Sequence, residues 1–335
     1  MKMKLIDRIK EKAKNKHTKI VLAEGEDERT IKAAQIALNE GLAELVMLGN
    51  ADRIKSLAGE MGFDLGKIEI IDPETAPIEK YIKPYIESRS ESGKRVTEGM
   101  AEKLIRRSLY FGAVMVNAGD VDGMVAGCSS LTATVVKASQ LMIGLRKGIT
   151  SPSSYFIMSV PNCLYGEDGN FIYADAGVNP DPTPQELAEI AVLSAYTAKD
   201  LLGWEPRVAM LSFSTKGSAA HHRIDKVIEA TKLAKEMAPD ISIDGEFQLD
   251  AAIIPEVAQR KVKESSPVAG RANVLIFPDL DAGNIAYKLT QYLAKADAYG
   301  PLLQGFAKPV NDLSRGASAD DIVGVIAITS VQAQK

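Results

Sequence analysis

The sequence predicts a doubly wound α/β protein with parallel sheets, and three observations support this fold class. Short apolar runs that end in Gly or Asp recur along the chain, beginning with KIVLAEG at residues 19–25. Segments of about the usual helix length separate these runs, which is typical of βαβ units. The chain has 335 residues, of which 46% are hydrophobic. Because a chain of this length is too long to fold around one hydrophobic core of ordinary size, we expect two domains.

Strands and helices alternate through the first half of the predicted fold. Three opening strands are predicted at residues 19–25, 43–49 and 67–72, with a helical segment after each of the first two. Two helical stretches follow at roughly residues 76–92 and 97–117, and the run GMVAG predicts the next strand.

The same alternation resumes in the second half. Apolar runs predict five strands, at residues 155–160, 171–177, 207–214, 242–247 and 273–280. Gly, Ser and Pro residues cluster at residues 144–154, which indicates a hinge. The segment ADDIVGVIAITS predicts a last helix, with apolar positions at Ile322 and Ile326.

The charge and cysteine content exclude several classes of protein. Lys and Arg total 40 against 44 Asp and Glu, a net charge of −4, so we expect no broad basic surface for nucleic acid. Only Cys128 and Cys163 are present, which is normal in a reducing cytosol. The N-terminal segment is charged throughout, and no stretch reaches the ~18 apolar residues of a membrane span. We therefore expect a cytoplasmic protein without nucleic-acid or membrane partners.

The sequence lacks the common nucleotide-binding motifs, and we expect no metal site. The sequence has no GxxxxGK(S/T) segment, and no GxGxxG follows the first strand. The adjacent His221 and His222 would point about 100° apart on a helix, so they would not face one metal ion.

Two loops have the composition of an anion site at the carboxyl end of a strand. LSFSTKGSAAHHR offers the hydroxyl of Ser214, the ammonium of Lys216 and backbone N–H groups before a helix. GCSSLTATVVKAS repeats the arrangement with Ser130 and Thr132. Ordinary helix capping would explain the same residues, so both interpretations stay open.

A third candidate is the segment NDLSRGASADD, which leads into the last helix. Arg315 can bind a phosphate through two parallel hydrogen bonds, and Ser314 places a hydroxyl beside it. Asp312 or Asp321 could instead pair with Arg315 inside the chain. Ser318 and Asp321 also approximate a capping box, which would give Asp321 a structural role.

Motifs along nearly the whole chain together resemble the phosphate acetyltransferase (phosphotransacetylase) family. They are AEGEDERTIKAA, GDVDGMVAG, SYFIMSVPNC, LSFSTKGSA, DGEFQLDAA, FPDLDAGNIAYKL, GPLLQG and PVNDLSRG. The resemblance implies two α/β domains with an active-site cleft between them, the last helix returning to the first domain. It places residues 1–147 and 311–335 in the first domain and residues 148–310 in the second.

The resemblance also implies an activity. The family exchanges an acetyl group between coenzyme A and inorganic phosphate, by direct thiolate attack in a ternary complex. It needs no bound cofactor, because coenzyme A is a substrate, and it suggests a homodimer. By position, the catalytic residues are Ser314, Arg315 and the base Asp321. Arg89 would contact coenzyme A, although two extra residues follow it here, and Lys137 stands where the family has a second arginine.

Three points stay open at this stage. Ser130, Thr132, Ser214 and Lys216 are weaker candidates for binding the phosphate or acyl group. A thiol of pKa ~8.5 and an Asp of pKa ~3.9 differ by roughly 4.6 units, which opposes proton transfer to Asp321. A butyryl or propionyl transferase, or a non-catalytic acyl-CoA sensor, are the alternative functions.

Overall fold

The computed structural model describes residues 3–66, 68–91 and 93–334. Contacts divide these residues into two compact units. The first unit runs to Lys147 and resumes at Phe306, and the second spans Gly148–Gly305. Each unit contains one β-sheet with helices packed against it, which confirms the predicted α/β fold class.

The elements follow in chain order. In the first unit they are α1 (Leu5–Ala13), β1 (Lys19–Leu22), α2 (Glu28–Glu40), β2 (Glu44–Leu48), α3 (Ala51–Glu60), β3 (Glu69–Ile71), α4 (Glu79–Glu91), α5 (Glu98–Ile105), α6 (Ser108–Ala118), β4 (Gly123–Val125) and α7 (Thr132–Met142).

The second unit supplies the next eleven elements. They are β5 (Ser153–Ser159), β6 (Asn170–Ala174), α8 (Pro184–Asp200), β7 (Arg207–Leu211), α9 (His222–Met237), β8 (Ser242–Phe247), α10 (Leu249–Ile253), α11 (Pro255–Lys261), β9 (Val274–Ile276), α12 (Leu280–Leu293) and β10 (Asp297–Gln304). The chain then returns to the first unit as β11 (Val310–Asn311) and α13 (Ala319–Ala333).

The sheet of the first unit is parallel throughout and has the order β11-β4-β1-β2-β3. The last helix, α13, packs against α1, α2 and β4, so it returns to the first unit as the resemblance implied. The hydroxyls of Thr18 and Ser330 meet at 2.6 Å in this buried contact. Because β1, β4 and β11 are adjacent and parallel, their carboxyl ends lie at the same edge of the sheet.

The sheet of the second unit is mixed and has the order β10-β5-β6-β9-β7-β8. The expected parallel pairing holds from β6 to β8, whereas β5 is antiparallel to both of its neighbours. The connection from β5 to β6 is shorter than a parallel crossover requires, which explains this change. Strand β10 was not predicted because it contains Gly300 and Pro301, and it lies at the edge, where a strand proline is tolerated.

One helical prediction differs in detail from the structure. The predicted helix at residues 97–117 is interrupted between α5 and α6, where the Arg106 side chain donates hydrogen bonds to the carbonyls of Pro73 and Glu74. The predicted strand start at Lys67 and helix end at Ser92 lie outside the described residues. Within the described residues, no helix combines the length and the apolar content needed to cross a membrane.

A substitution at Gly283, in α12, would test how closely this helix packs on the sheet of the second unit. A Cβ atom at this position would overlap the carbonyl oxygen of Asp175, whereas one at Gly59 in α3 would meet nothing. We expect Gly283→Ala to lower the free energy of unfolding by about 1–3 kcal/mol, because the overlap exceeds the usual helical gain of Ala. Gly59→Ala is the control and should raise it by about 0.5–1 kcal/mol. Urea unfolding of both variants checks this, and equal stability of the two would contradict it.

Candidate active site

Three loops meet at the carboxyl ends of β1, β4 and β11, and we call them the strand-end corner. The corner consists of residues 23–29, 126–132 and 312–318. It contains four of the predicted catalytic and substrate-binding residues: Ser130, Thr132, Ser314 and Arg315. Asp321 follows the corner in the first turn of α13.

The carboxylate of Glu24 occupies the loop after β4. The backbone N–H groups of Gly127, Cys128 and Ser130 each donate to it at 2.8 Å, and the hydroxyl of Ser129 donates at 2.8 Å. The thiol of Cys128 also donates to it at 3.0 Å. Burial acts to raise the pKa of Glu24, but the hydrogen bonds from this thiol and from the loop outweigh burial, and the pKa is lowered. The anion held by this loop is therefore a carboxylate of the chain itself.

The loop after β7 in the second unit also binds a carboxylate of the chain. The hydroxyl of Ser214 and the backbone N–H of Gly217 donate to the carboxylate of Glu246 at 2.9 and 2.8 Å. The ammonium of Lys216 donates to Asp244 at 2.8 Å. Both predicted anion loops thus hold internal carboxylates, and binding of phosphate or an acyl group by these residues stays a prediction.

Arg29, in the first turn of α2, ties the loops of the strand-end corner together. Its guanidinium donates to the carbonyl oxygens of Arg315 at 2.7 Å, Ala317 at 3.1 Å and Cys128 at 2.7 Å. Asp27 holds the same guanidinium from its other edge through two hydrogen bonds. Arg29 therefore fixes the backbone of the Ser314–Arg315 loop relative to the loop after β4.

The side chain of Arg315 is exposed and makes no hydrogen bond or ion pair with any described residue. The internal pairing with Asp312 or Asp321 that the sequence left open is therefore not observed. The neighbouring hydroxyl of Ser314 accepts a hydrogen bond from the N–H of Gly316 at 3.3 Å. The corner thus presents, on consecutive residues, a hydroxyl and a guanidinium that pairs with no described residue, a combination suited to a phosphate.

Asp321 forms the capping box at the start of α13. Its carboxylate accepts hydrogen bonds from the N–H and the hydroxyl of Ser318 at 2.8 and 2.7 Å. The Ser318 hydroxyl in turn accepts from the N–H of Asp321 at 3.2 Å. The capping interpretation is therefore correct for the geometry of Asp321, and a role as a base stays a prediction.

Asp312 lies completely buried below the same loop. Thr132 donates to its Oδ2 at 2.5 Å, while Oδ1 has no hydrogen-bond partner among the described residues. Gly127 packs so closely on Oδ1 that an added Cβ would overlap it. Burial raises the pKa of Asp312 to about 7, and the charge of Glu24 acts in the same direction.

The two residues expected to contact coenzyme A lie on separate helices. Arg89 is partly buried in the last turn of α4, where its charge opposes the rise in pKa that burial causes in Tyr85. Lys137 is exposed on α7, the helix that begins at Thr132. A cavity of about 490 Å³ opens beside Glu24, and Ser130 and Arg107 are among its lining residues.

The histidine pair differs from the sequence prediction. His221 is the N-cap of α9 and not a helical residue, so its ring lies 4.1 Å from that of His222. Across residues 3–66, 68–91 and 93–334, no group of three or more His, Cys, Asp or Glu side chains is arranged to hold a metal ion.

The sequence interpretation did not assign Glu24 or Arg29 to the site. Both belong to the quoted segment AEGEDERTIKAA, directly after the first predicted strand. The rule that charged residues at the carboxyl ends of parallel strands converge would have indicated them.

Comparisons with known proteins show which family this chain is similar to. Residues 4–330 match the family model described as "Phosphate acetyl/butaryl transferase". A phosphate acetyltransferase of Thermoanaerobacterium thermosaccharolyticum is 55% identical over 333 residues, covering 99% of this chain and 100% of the relative. One from Clostridium acetobutylicum is 50% identical, covering 99% of both chains. The crystal structure of a phosphotransacetylase from Streptococcus pyogenes aligns with a TM-score of 0.91 at 44% identity, covering 98% of each chain.

The buried carboxyl of Asp312 should make stability depend on pH. Its folded pKa of about 7 lies above the unfolded value near 3.8, so the native state binds more protons between these values and loses stability as pH rises. When the pH rises from about 5 to about 8, the free energy of unfolding of the wild type should fall by about 2–3 kcal/mol relative to that of Asp312→Asn. The Asn side chain cannot titrate. Urea unfolding at both pH values measures this difference. Parallel pH dependences in the two proteins would contradict it.

Proposed function

The chain belongs to the phosphate acetyltransferase family, and from this premise we propose how the strand-end corner carries out the reaction. The activity is that of a phosphate acetyltransferase, which converts acetyl-CoA and phosphate reversibly to acetyl phosphate and coenzyme A. We propose that the thiolate attacks the acyl carbon directly, with both substrates bound in a ternary complex. The observation that carries this proposal is that the guanidinium of Arg315, which follows Ser314 in the chain, pairs with no described residue.

Arg315 is proposed to bind the phosphate group. Its planar guanidinium matches two phosphate oxygens, and no internal carboxylate among the described residues competes for it. The hydrogen bonds from Arg29 to the loop carbonyls hold the backbone of Arg315 in place without neutralising its side chain. When the bond between the acyl carbon and the phosphate oxygen breaks, negative charge grows on that oxygen, and Arg315 would stabilise it.

Ser314 is proposed to donate a hydrogen bond to the thiol sulfur or to the oxyanion that develops on the acyl oxygen. Its hydroxyl is exposed, and its lone pair already accepts from Gly316, so its proton is available for donation. The resemblance assigns the thiol proton to Asp321, whose carboxylate is engaged in the capping box. That assignment stays a prediction.

Arg89 and Lys137 are proposed to bind the phosphates of coenzyme A. The chain is acidic overall, so a highly anionic substrate must meet a local group of cations. Lys137 keeps the positive charge of the arginine that the family pattern has at this position. It lacks the planar guanidinium that can donate two parallel hydrogen bonds. Ser130 and Thr132 begin the segment that leads to Lys137, and Ser214 and Lys216 remain the weaker candidates in the second unit.

We also propose a cytoplasmic location and a reaction without a resident cofactor. Cys128 and Cys163 are both free thiols, which suits a reducing compartment. The reacting groups of thiol, acyl carbon and phosphate all come from the substrates, so the residues of the corner need only position them and move one proton.

A homodimer is proposed from the surface of α12. Four large apolar side chains, Ile285, Leu289, Tyr292 and Leu293, are exposed along one stripe of this helix. A second copy of the chain would cover such a stripe. Leu289→Glu should therefore shift the protein toward the monomer in light-scattering measurements, whereas Met100→Glu, which changes an exposed apolar residue on α5, should not. A monomeric wild type, or a dimer unaffected by Leu289→Glu, would remove α12 as the interface.

The function is tested by the phosphate-dependent release of thiol from acetyl-CoA. We expect the wild type to prefer acetyl-CoA over butyryl-CoA, and Arg315→Lys to lower kcat/KM for phosphate on the order of 10²–10³-fold. The physical reason is that one ammonium cannot reproduce two parallel hydrogen bonds. Arg8→Lys, an exposed change on α1, is the matched control and should be silent. Normal phosphate kinetics in Arg315→Lys would place the phosphate elsewhere.

A further inference from the structure

The cavity of about 490 Å³ beside Glu24 contains an arginine to which the roles proposed above give no task. The cavity opens at the carboxyl ends of β1 and β2, and the starts of α6 and α7 complete its lining. The carboxyl ends of parallel strands are where such sheets bind ligands. We call it the Arg107 cavity, and its polar lining residues include Glu24, Glu26, Asp27, Arg107, Ser130 and Thr134.

The three carboxylates in the lining of the Arg107 cavity each have partners within the first unit. Glu24 accepts hydrogen bonds from backbone N–H groups of the loop after β4. Glu26 forms an ion pair with Arg53 at 3.0 Å, and Asp27 forms one with Arg29 at 2.8 Å. Internal donors therefore satisfy all three carboxylates.

Arg107 differs from these groups because its side chain has no internal partner. It is the N-cap residue of α6, it is exposed, and its guanidinium makes no hydrogen bond or ion pair with any described residue. The preceding Arg106 shows the contrast, since its guanidinium donates to the carbonyls of Pro73 and Glu74 at 3.0 and 2.7 Å. One arginine of this pair therefore holds the chain, and the other offers its N–H donors to the cavity.

Further hydrogen-bond donors line the same cavity. Thr134, in the first turn of α7, is exposed, and its hydroxyl pairs with no residue in the described part of the chain. Residues 108–110 form the first turn of α6, which has no side-chain cap, so their N–H groups add donors. An uncapped helix start alone would not indicate a ligand. Together with a guanidinium and a hydroxyl in one cavity, it completes the donor set that a phosphate group requires.

The Arg107 cavity lies between the strand-end corner and the face of α7 that carries Lys137. Ser130 belongs both to the corner, which also contains Ser314 and Arg315, and to the lining of the cavity. Lys137 follows Thr134 by three residues, so their side chains lie on the same face of α7. A phosphate in this cavity would therefore lie beside the residues proposed above for the reaction and for coenzyme A.

We propose that Arg107 binds a phosphate group of coenzyme A in this cavity and sets the affinity for the coenzyme. The proposal rests on the phosphate acetyltransferase function given above. The planar guanidinium donates two parallel hydrogen bonds to a phosphate, which the ammonium of Lys137 cannot do. The phosphates of coenzyme A are remote from the acyl carbon, so the contact is the same in the ground state and in the transition state. Such a contact lowers KM and leaves kcat unchanged.

The kinetics of Arg107 variants test the contact. Arg107→Gln should raise the KM for acetyl-CoA on the order of 10–100-fold, because a charge-assisted hydrogen-bond pair is lost. Its kcat and its KM for inorganic phosphate should stay near the wild-type values. Arg107→Lys keeps the charge and should raise the KM for acetyl-CoA by a smaller factor. Arg8→Gln, which removes an exposed positive charge from α1, is the matched control and should be silent.

Calorimetric titration with coenzyme A measures the same contact without turnover. The affinity of the wild type should fall more steeply with added salt than that of Arg107→Gln, because the variant has one fewer ionic contact. Titration with 3′-dephospho-coenzyme A then identifies the phosphate. If the variant binds this analogue as well as the wild type does, Arg107 contacts the 3′-phosphate. If the variant binds it more weakly than the wild type does, Arg107 contacts the diphosphate.

Three results would overturn the proposal. The first is an unchanged KM for acetyl-CoA with unchanged affinity for coenzyme A in Arg107→Gln. The second is a rise confined to the KM for inorganic phosphate, which would make the cavity a site for the free anion. The third is an equal effect of Arg8→Gln. Failure of the underlying function is distinguishable from these, because the wild type would then release no thiol from acetyl-CoA, whereas calorimetry would still measure the contribution of Arg107 to binding.

Discussion

The hydrogen bonds of Arg29 hold the loops of the strand-end corner, the candidate site, together. One guanidinium binds carbonyl oxygens in the loop after β4 and in the loop before α13, which are far apart in sequence. Asp27 keeps that guanidinium oriented. Because Arg29 binds the loop through its carbonyls, the exposed side chains of Ser314 and Arg315 are free for the substrate contacts proposed for them. The loop is thus held by hydrogen bonds to its backbone, and these hydrogen bonds do not involve its side chains.

A carboxylate of the chain accepts hydrogen bonds from one loop in each unit, the loop after β4 and the loop after β7. The carboxylate of Glu24 accepts hydrogen bonds from four backbone N–H groups in the loop after β4, and the carboxylate of Glu246 accepts one from Gly217 in the loop after β7. A loop rich in Ser and Gly at the end of a strand is therefore not by itself evidence of a ligand. The distinction lies in whether a charged group nearby is left without a partner, as Arg315 is among the described residues.

Much of the fold could be predicted from local patterns. The apolar runs and caps gave the α/β class, most strands and the last helix, because these depend on periodicity within a short window. Strand β10 and the break at Arg106 could not be predicted, since pairing with β5 and hydrogen bonds to distant carbonyls determine them. At the site, the pattern NDLSRG indicated Ser314 and Arg315. The burial of Asp312 and the contacts of Arg29 depend on tertiary packing, which no short stretch of sequence encodes.

The path of the chain has a consequence for how the protein is made. The first unit lacks β11 and α13 until the final segment has been synthesised, whereas the second unit is complete by Gly305. On the ribosome, the second unit can therefore finish folding while the first still exposes the surfaces of α1, α2 and β4 that α13 will cover. Asp312, Ser314 and Arg315 arrive with that same last segment. A nascent chain that stalls before residue 306 could carry a folded second unit but would lack the residues proposed for catalysis.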